Sequence, residues 1–399
     1  MGWVSPGDKQ GYNTQMEAIK MDFTYTEEQK MIKKEARRFL EKACPNVEWY
    51  LDMDKDEKGF TPELWKGMAE LDWMGIMIPE KYGGIGGSFL DLVVLLEEMG
   101  YAAVPGPFFS TVVLGGLTVL EAGTDAQKDD LLPKIAEGKC LLTMALTEPG
   151  TTCYDPSFIE TTAKADGDNY IINGVKLFVP DANVSDVIIA AARTSGVAGD
   201  KDGITLFLVD GGTPGIKTTI LKTTAGDKLC EVIFDAVKVP KDKILGSLNG
   251  AGAVIERVLQ YAAVGKCAEM LGGSHKVMKI TVAYAKERVQ FGKPIGVYQA
   301  VQHHCANQKM AIEGSIYITY KAAWLLTNGF PAARIVSSAK SWVSEAYKKV
   351  AAIGHQIFGG TGYIVEHPMP IYSRRAKAAE YAYGNANYHR QLIASELGL

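Results

Sequence analysis

The sequence offers no cysteine pair at metal or redox spacing. Its six cysteines (Cys44, Cys140, Cys153, Cys230, Cys267 and Cys305) are scattered. That argues against a zinc site and a disulfide framework, and leads us to expect a reducing cytoplasm. Histidine is equally sparse. The one close pair, His303 and His304, is adjacent, so a helix would turn the two rings to different sides. No metal site is expected. No apolar run reaches the roughly 20 residues that a membrane helix needs, and no signal peptide is legible at the start. Lys and Arg nearly balance Asp and Glu, for a net charge of −4, which gives no reason to expect nucleic acid as a partner.

What is present is an ordinary globular composition, 47% hydrophobic and 22% charged, over 399 residues. That length is too great for one small core. Residues 1–20 are polar, without apolar period, and read as an N-terminal extension. Residues 21–139 carry helical periodicity. Thr26 with Gln29, and Ser88 with Asp91, read as capped helix starts. Met31, Ala36, Phe39 and Leu40 fall roughly on one helical face. Four glycines within 83–87 forbid regular helix there. Residues 140–247 change to short β runs, among them Val187–Ala190 and Ile204–Val209, and Asn173-Gly174 signals a hairpin. Residues 248–399 are helical again, with Gly359-Gly360 as a stop. The expected class is α+β: a helical unit, a β unit and a second helical unit.

Four short elements stand out in chain order: Leu146-Thr147-Glu148-Pro149-Gly150, Lys176-Leu177-Phe178-Val179-Pro180, Arg288-Val289-Gln290-Phe291-Gly292, and Gln356-Ile357-Phe358-Gly359-Gly360. Together they resemble the signatures of the acyl-CoA dehydrogenase family, over roughly residues 22–399. The resemblance implies three domains, an N-terminal α bundle, a middle β domain and a C-terminal four-helix bundle, and FAD as cofactor. It implies that Leu146 and Thr147 meet the flavin ring, with Phe178 covering it. Pro180 stands where relatives place a Thr that bonds near flavin N5. Proline has neither N–H nor hydroxyl, so that contact is missing or replaced. Arg288 would grip the diphosphate, since guanidinium forks suit phosphate oxygens, with Phe291 at the flavin edge. Gln356, Gly359 and Gly360 would reach the FAD of a neighbouring subunit in a homotetramer. Asn385 and Asn387 complete the implied cofactor contacts. Beyond Gly150 the stretch Thr151–Asp155 is one residue longer than the family pattern.

The informative departure follows Arg374. Aligning Arg374, Ala376, Lys377, Gly384, Ala386 and Arg390 puts Tyr383 where most members carry a catalytic Glu. The alternative Glu position, on the long preceding helix, is Ala262. A phenol with a pKa near 10 is a poor base at pH 7. The resemblance leaves Tyr383 a backbone N–H for the thioester oxygen.

Three explanations compete: another subunit completes the site, the chain is inactive, or the base lies elsewhere because the proton leaves a different carbon. In an α,β-unsaturated thioester the acidic proton sits beyond the alkene, deeper in the acyl pocket. Asp91, early on the helix expected to line that pocket, is the candidate base, with a helix cap as its alternative role. This pattern resembles cyclohex-1-ene-1-carboxyl-CoA dehydrogenases of anaerobic aromatic degradation. It implies 1,4-elimination to the cyclohexa-1,5-diene thioester, with an electron-transfer flavoprotein as acceptor. The alternatives are an FAD-holding subunit of a heteromeric, steroid side-chain type dehydrogenase, or an ordinary acyl-CoA dehydrogenase with an unrecognised base.

Overall fold

A computed structural model of the chain describes residues 21–150 and 154–399. The expected extension over residues 1–20, and Thr151–Cys153 of the longer stretch expected at Thr151–Asp155, lie outside the described residues.

Side-chain caps start the first helices, and the first cap is reciprocal. Thr26 accepts the Gln29 N–H at 3.2 Å and the Gln29 side chain accepts the Thr26 N–H at 3.2 Å, opening α1 (Glu27–Ala43). Ala36 and Leu40 are buried on it, but Met31 is 66% exposed. It lies five residues before Ala36 and so about 140° round the helix, off the apolar stripe. Next come α2 (Val47–Lys55) and α3 (Pro62–Glu70), capped by Asn46 and Thr61. The glycine-rich turn at 83–87 leads to α4 (Phe89–Tyr101). A π-helical stretch, Phe109–Gly116, runs into α5 (Leu117–Ala122), and α6 (Asp125–Ala136) closes the unit.

The sheet comprises β1 (Leu142–Ala145), β2 (Thr162–Asp166), β3 (Asn169–Pro180), β4 (Val187–Arg193), β5 (Ile204–Asp210), β6 (Ile216–Ile220), β7 (Leu229–Pro240) and β8 (Ile244–Leu245). Their order is β6-β7-β3-β2-β4-β5-β8, with β1 pairing parallel to β4. β4 is apolar from Val187 to Ala192 because both of its faces are covered. Val187, Ile189 and Ala191 join the core shared with the helices, whereas Ile188, Ala190 and Ala192 join a second core with Phe207, Val232 and Phe234. A period of two sends alternate residues into different cores.

The hairpin expected at Asn173-Gly174 is not there. Both residues lie inside β3, at a register shift against β7. The Asn173 side chain accepts the Ala236 N–H at 2.8 Å, and a Cβ at position 174 would collide with Thr161. This Asn-Gly serves a bulge rather than a turn. The turn itself is at Gly167-Asp168, between the paired Asp166 and Asn169.

The second helical unit holds α7 (Gly252–Glu287), a small β9–β10 hairpin (Val289–Gln290, Lys293–Pro294), α8 (Gln299–Thr327), α9 (Ala333–Phe358), α10 (Met369–Tyr381) and α11 (Ala386–Glu396). α7 packs on α4 with the backbones nearly touching. A Cβ at Gly100 would strike Glu269 O, and one at Gly272 would strike Glu97 O. Those two glycines fix how α7 presents its residues to the first unit. Among the described residues no helix is long and apolar enough to cross a membrane.

Candidate active site

A buried ion pair shapes the loop after β1. Lys176 Nζ donates to Glu148 Oε1 at 2.6 Å and to Leu146 O at 3.2 Å. Glu148 also accepts the N–H groups of Glu160 (2.7 Å) and Thr161 (3.0 Å). Burial alone would raise the Glu148 carboxyl, but Lys176 outweighs it and holds the acid below its usual range. Thr147 is tied to the same strand: its hydroxyl donates to Leu177 O, and its carbonyl accepts the Leu177 N–H at 2.9 Å. Just beyond, β3 slips register between Lys176 and Val179. Phe178 takes φ +56° and stands 56% exposed between half-buried Leu177 and buried Val179. The bulge thus aims an aromatic ring outward beside Thr147. Pro180 follows, its carbonyl accepting the Thr143 hydroxyl at 2.5 Å.

A second group forms at one end of the C-terminal helices. Tyr284, one turn before Arg288, packs its ring 4.6 Å from that of Phe358, which holds the Arg288 loop beside the end of α9. Phe291 is 92% exposed at φ +52°. Among the described residues Arg288 has no carboxylate partner. Gln356, Gly359 and Gly360 are exposed, and a Cβ at either glycine would meet nothing within 4 Å. Asn385 caps α11 by accepting the Tyr388 N–H at 2.9 Å, and Asn387 accepts from Arg390 at 3.2 Å.

Tyr383 occupies the turn between α10 and α11, at φ +57°. Buried Lys340 pins that turn by donating to Ala379 O (3.0 Å), Glu380 O (3.1 Å) and Gly384 O (2.8 Å). His389 Nε2 donates to Tyr383 O at 2.9 Å, while Nδ1 meets Ser337 Oγ at 3.2 Å. The phenol ring stacks on Phe109, centroids 5.5 Å apart and 17° between planes, and lies 5.8 Å from Tyr154. Burial raises the Tyr154 phenol, and the nearby Tyr383 backbone opposes that rise. Burial first, then Tyr154 and the acids Glu269, Asp181 and Asp227, push the Tyr383 phenol well above 10. It is therefore neutral, and no base, at physiological pH.

Asp91 is placed as a cap. Its Oδ2 accepts the Ser88 N–H at 2.7 Å and the Ser88 hydroxyl at 2.8 Å, and its Oδ1 accepts from Gln29 Nε2 at 2.9 Å. These partners tie α4 to α1. The groups packed on Tyr383 are different ones: Phe109, Tyr154 and His389. Ala262 is fully buried in α7.

Sequence reasoning passed over Phe109, Ser110, Asp181, Lys340 and His389. Lys340 and His389 carried a signal, being ionisable residues set among apolar helix positions. Asp181 closes the Lys176–Pro180 element, but only the fold brings it to Ser110, whose hydroxyl donates to its Oδ2 at 2.6 Å.

Family models for the acyl-CoA dehydrogenase N-terminal, middle and C-terminal domains match residues 26–139, 143–237 and 249–398. This chain belongs to the acyl-CoA dehydrogenase family. It is 33% identical to a 3-(aryl)acrylate reductase of Clostridium sporogenes, over 94% of this chain and 99% of that one. It is 32% identical, over the same shares, to the caffeyl-CoA reductase–Etf complex subunit CarC of Acetobacterium woodii. The butyryl-CoA dehydrogenase structure from Megasphaera elsdenii superposes with a TM-score of 0.87 at 31% identity, covering 95% of this chain and 100% of that one.

Acyl-CoA dehydrogenases are FAD-dependent oxidoreductases of the CH–CH group. The residues here fit that cofactor: two outward-facing aromatic rings, an arginine with no carboxylate partner among the described residues, and an open glycine pair at a helix end. Phe178 and the Thr147 loop would hold the ring system, and Arg288 with Phe291 the diphosphate end. FAD supplies the hydride acceptor.

Proposed function

We propose that this acyl-CoA dehydrogenase moves hydride between FAD and a CoA thioester without a carboxylate at position 383, on a substrate that is already α,β-unsaturated. The reading is carried by one observation: the residue in the family's base position is a neutral phenol stacked on Phe109, with Ala262 at the alternative position. An alicyclic enoyl thioester such as cyclohex-1-ene-1-carboxyl-CoA is the favoured class. Its acidic proton lies along the conjugation, out of reach of an ordinary α-base. Asp91, the acceptor expected from sequence, is engaged by three donors as a cap, so the reading does not route the proton through it.

An electron-transfer flavoprotein is the proposed redox partner, by analogy with the Etf-associated relative. A homotetramer in which Gln356, Gly359 and Gly360 serve a neighbour's FAD is the proposed assembly. The second reading, an FAD-holding subunit completed by a different chain, rests on the same missing carboxylate.

The purified chain is expected to be yellow, and Arg288→Ala to lose FAD on gel filtration, since nothing nearby replaces a bidentate phosphate contact. Full FAD occupancy in a stable monomer would remove the shared-site assembly. A colourless chain that FAD does not reconstitute would remove the reading.

A further inference from the structure

Three carboxylates press electrostatically on Tyr383: Glu269, Asp181 and Asp227. Their circumstances differ. Glu269 is ion-paired with Lys266 on the same helix. Asp227 is exposed. Asp181 is 8% exposed and, among the described residues, forms no ion pair. Its Oδ2 accepts the Ser110 hydroxyl at 2.6 Å, and Ser110 is next to Phe109, the residue stacked on Tyr383. Its Oδ1 takes no hydrogen bond among the described residues. Asp181 also sits three residues after Phe178 and directly after Pro180, at the end of β3. It is therefore fixed between the segment that fits the flavin and the helix whose aromatic ring covers Tyr383.

We propose that Asp181 is the carboxylate that exchanges a proton with the reacting carbon of the thioester. The inference rests on the function proposed above. The C–H bond breaks, the proton goes to Asp181, its electron pair forms a new C=C bond to the adjacent alkene carbon, the existing alkene pair shifts one bond along, and hydride leaves the carbon at the far end for FAD. Ser110 is a positioning residue that holds one oxygen and leaves the other free.

The surroundings suit the task. Burial raises this acid to about 6, opposed by the Ser110 hydrogen bond, reinforced by the Asp227 charge, and moderated by Lys266 and Lys228. An acid that titrates near the working pH both takes and returns a proton efficiently.

The test uses FAD-loaded full chain in D2O with cyclohex-1-ene-1-carboxyl-CoA and with butyryl-CoA. Deuterium entering the thioester is followed by mass spectrometry, and the infrared band of a protonated carboxylic acid is recorded against pH. Asp181→Asn is expected to keep FAD content while slowing exchange by roughly 10²–10⁴-fold, and to lose a carboxylic-acid band that fades as pH rises through about 6. Ser110→Ala is expected to keep exchange and to move both the band and the pH profile upward, because it removes a hydrogen bond that favours the ionised form. Parent-rate exchange in Asp181→Asn, or a band unmoved by Ser110→Ala, overturns the assignment and leaves the function reading standing. A parent that exchanges neither thioester while holding FAD overturns both.

Discussion

His389 Nε2 donates to the carbonyl of Tyr383 at 2.9 Å, tying the start of α11 to the residue proposed to stand in the family's base position. Burial, against the pull of that carbonyl, lowers His389 to about 4, so the ring is neutral in the folded protein. In the unfolded chain it titrates near 6.5. Between those values the unfolded state binds more protons, so this residue's contribution to stability is full above about 6.5 and is lost as pH falls toward 4. His389→Gln, which can keep a donor, is expected to flatten the acid limb of a melting-temperature profile over that window. An unchanged acid limb would show that His389 titrates normally in the fold.

The Lys176–Glu148 pair gives a second test. Both side chains are buried, and among the described residues Glu148 accepts from Lys176, Glu160 and Thr161. Glu148→Gln leaves the ammonium without its counter-charge, which costs on the order of 3–5 kcal/mol when one partner of a buried pair is removed. Because Lys176 also holds Leu146 O, FAD retention should fall with stability. Denaturant unfolding with absorbance of the retained flavin checks both. A change under about 1 kcal/mol would mean that water reaches the pair.

Asp91 separates two roles by one substitution. As a cap engaged by Ser88 and Gln29, it should cost about 1 kcal/mol on change to Asn, with flavin reduction by a CoA thioester within a few-fold of the parent. A loss of about 10²-fold or more with intact folding would make it the proton acceptor after all.

These cases mark what the chain disclosed before it was folded. The Ser88–Asp91 box was legible because a cap needs only residues three apart. Both strands of the β4–β5 pair were legible as apolar runs, although their division between two cores was not. Asn173-Gly174 misled because the dipeptide suits a bulge as well as a turn, and only pairing with β7 and the closeness of Thr161 decide between them. The loops proposed to meet the flavin are contiguous motifs in the sequence. Asp181 against Ser110, Phe109 against Tyr383 and Lys340 beneath the Tyr383 turn were not legible, because each joins residues about 40 or more apart in the chain, and no local pattern encodes that closure.

Rapid mixing of the FAD-loaded chain with cyclohex-1-ene-1-carboxyl-CoA and with butyryl-CoA, in the parent and in Tyr383→Glu, tests the central claim most directly. The parent is expected to bleach its flavin with the unsaturated thioester and to react far more slowly with butyryl-CoA. Tyr383→Glu, which places a carboxylate at the family position, should gain roughly 10²-fold or more on butyryl-CoA. A parent that bleaches fully with butyryl-CoA at a rate Tyr383→Glu does not raise, or one that holds FAD yet bleaches with neither thioester, would contradict the account.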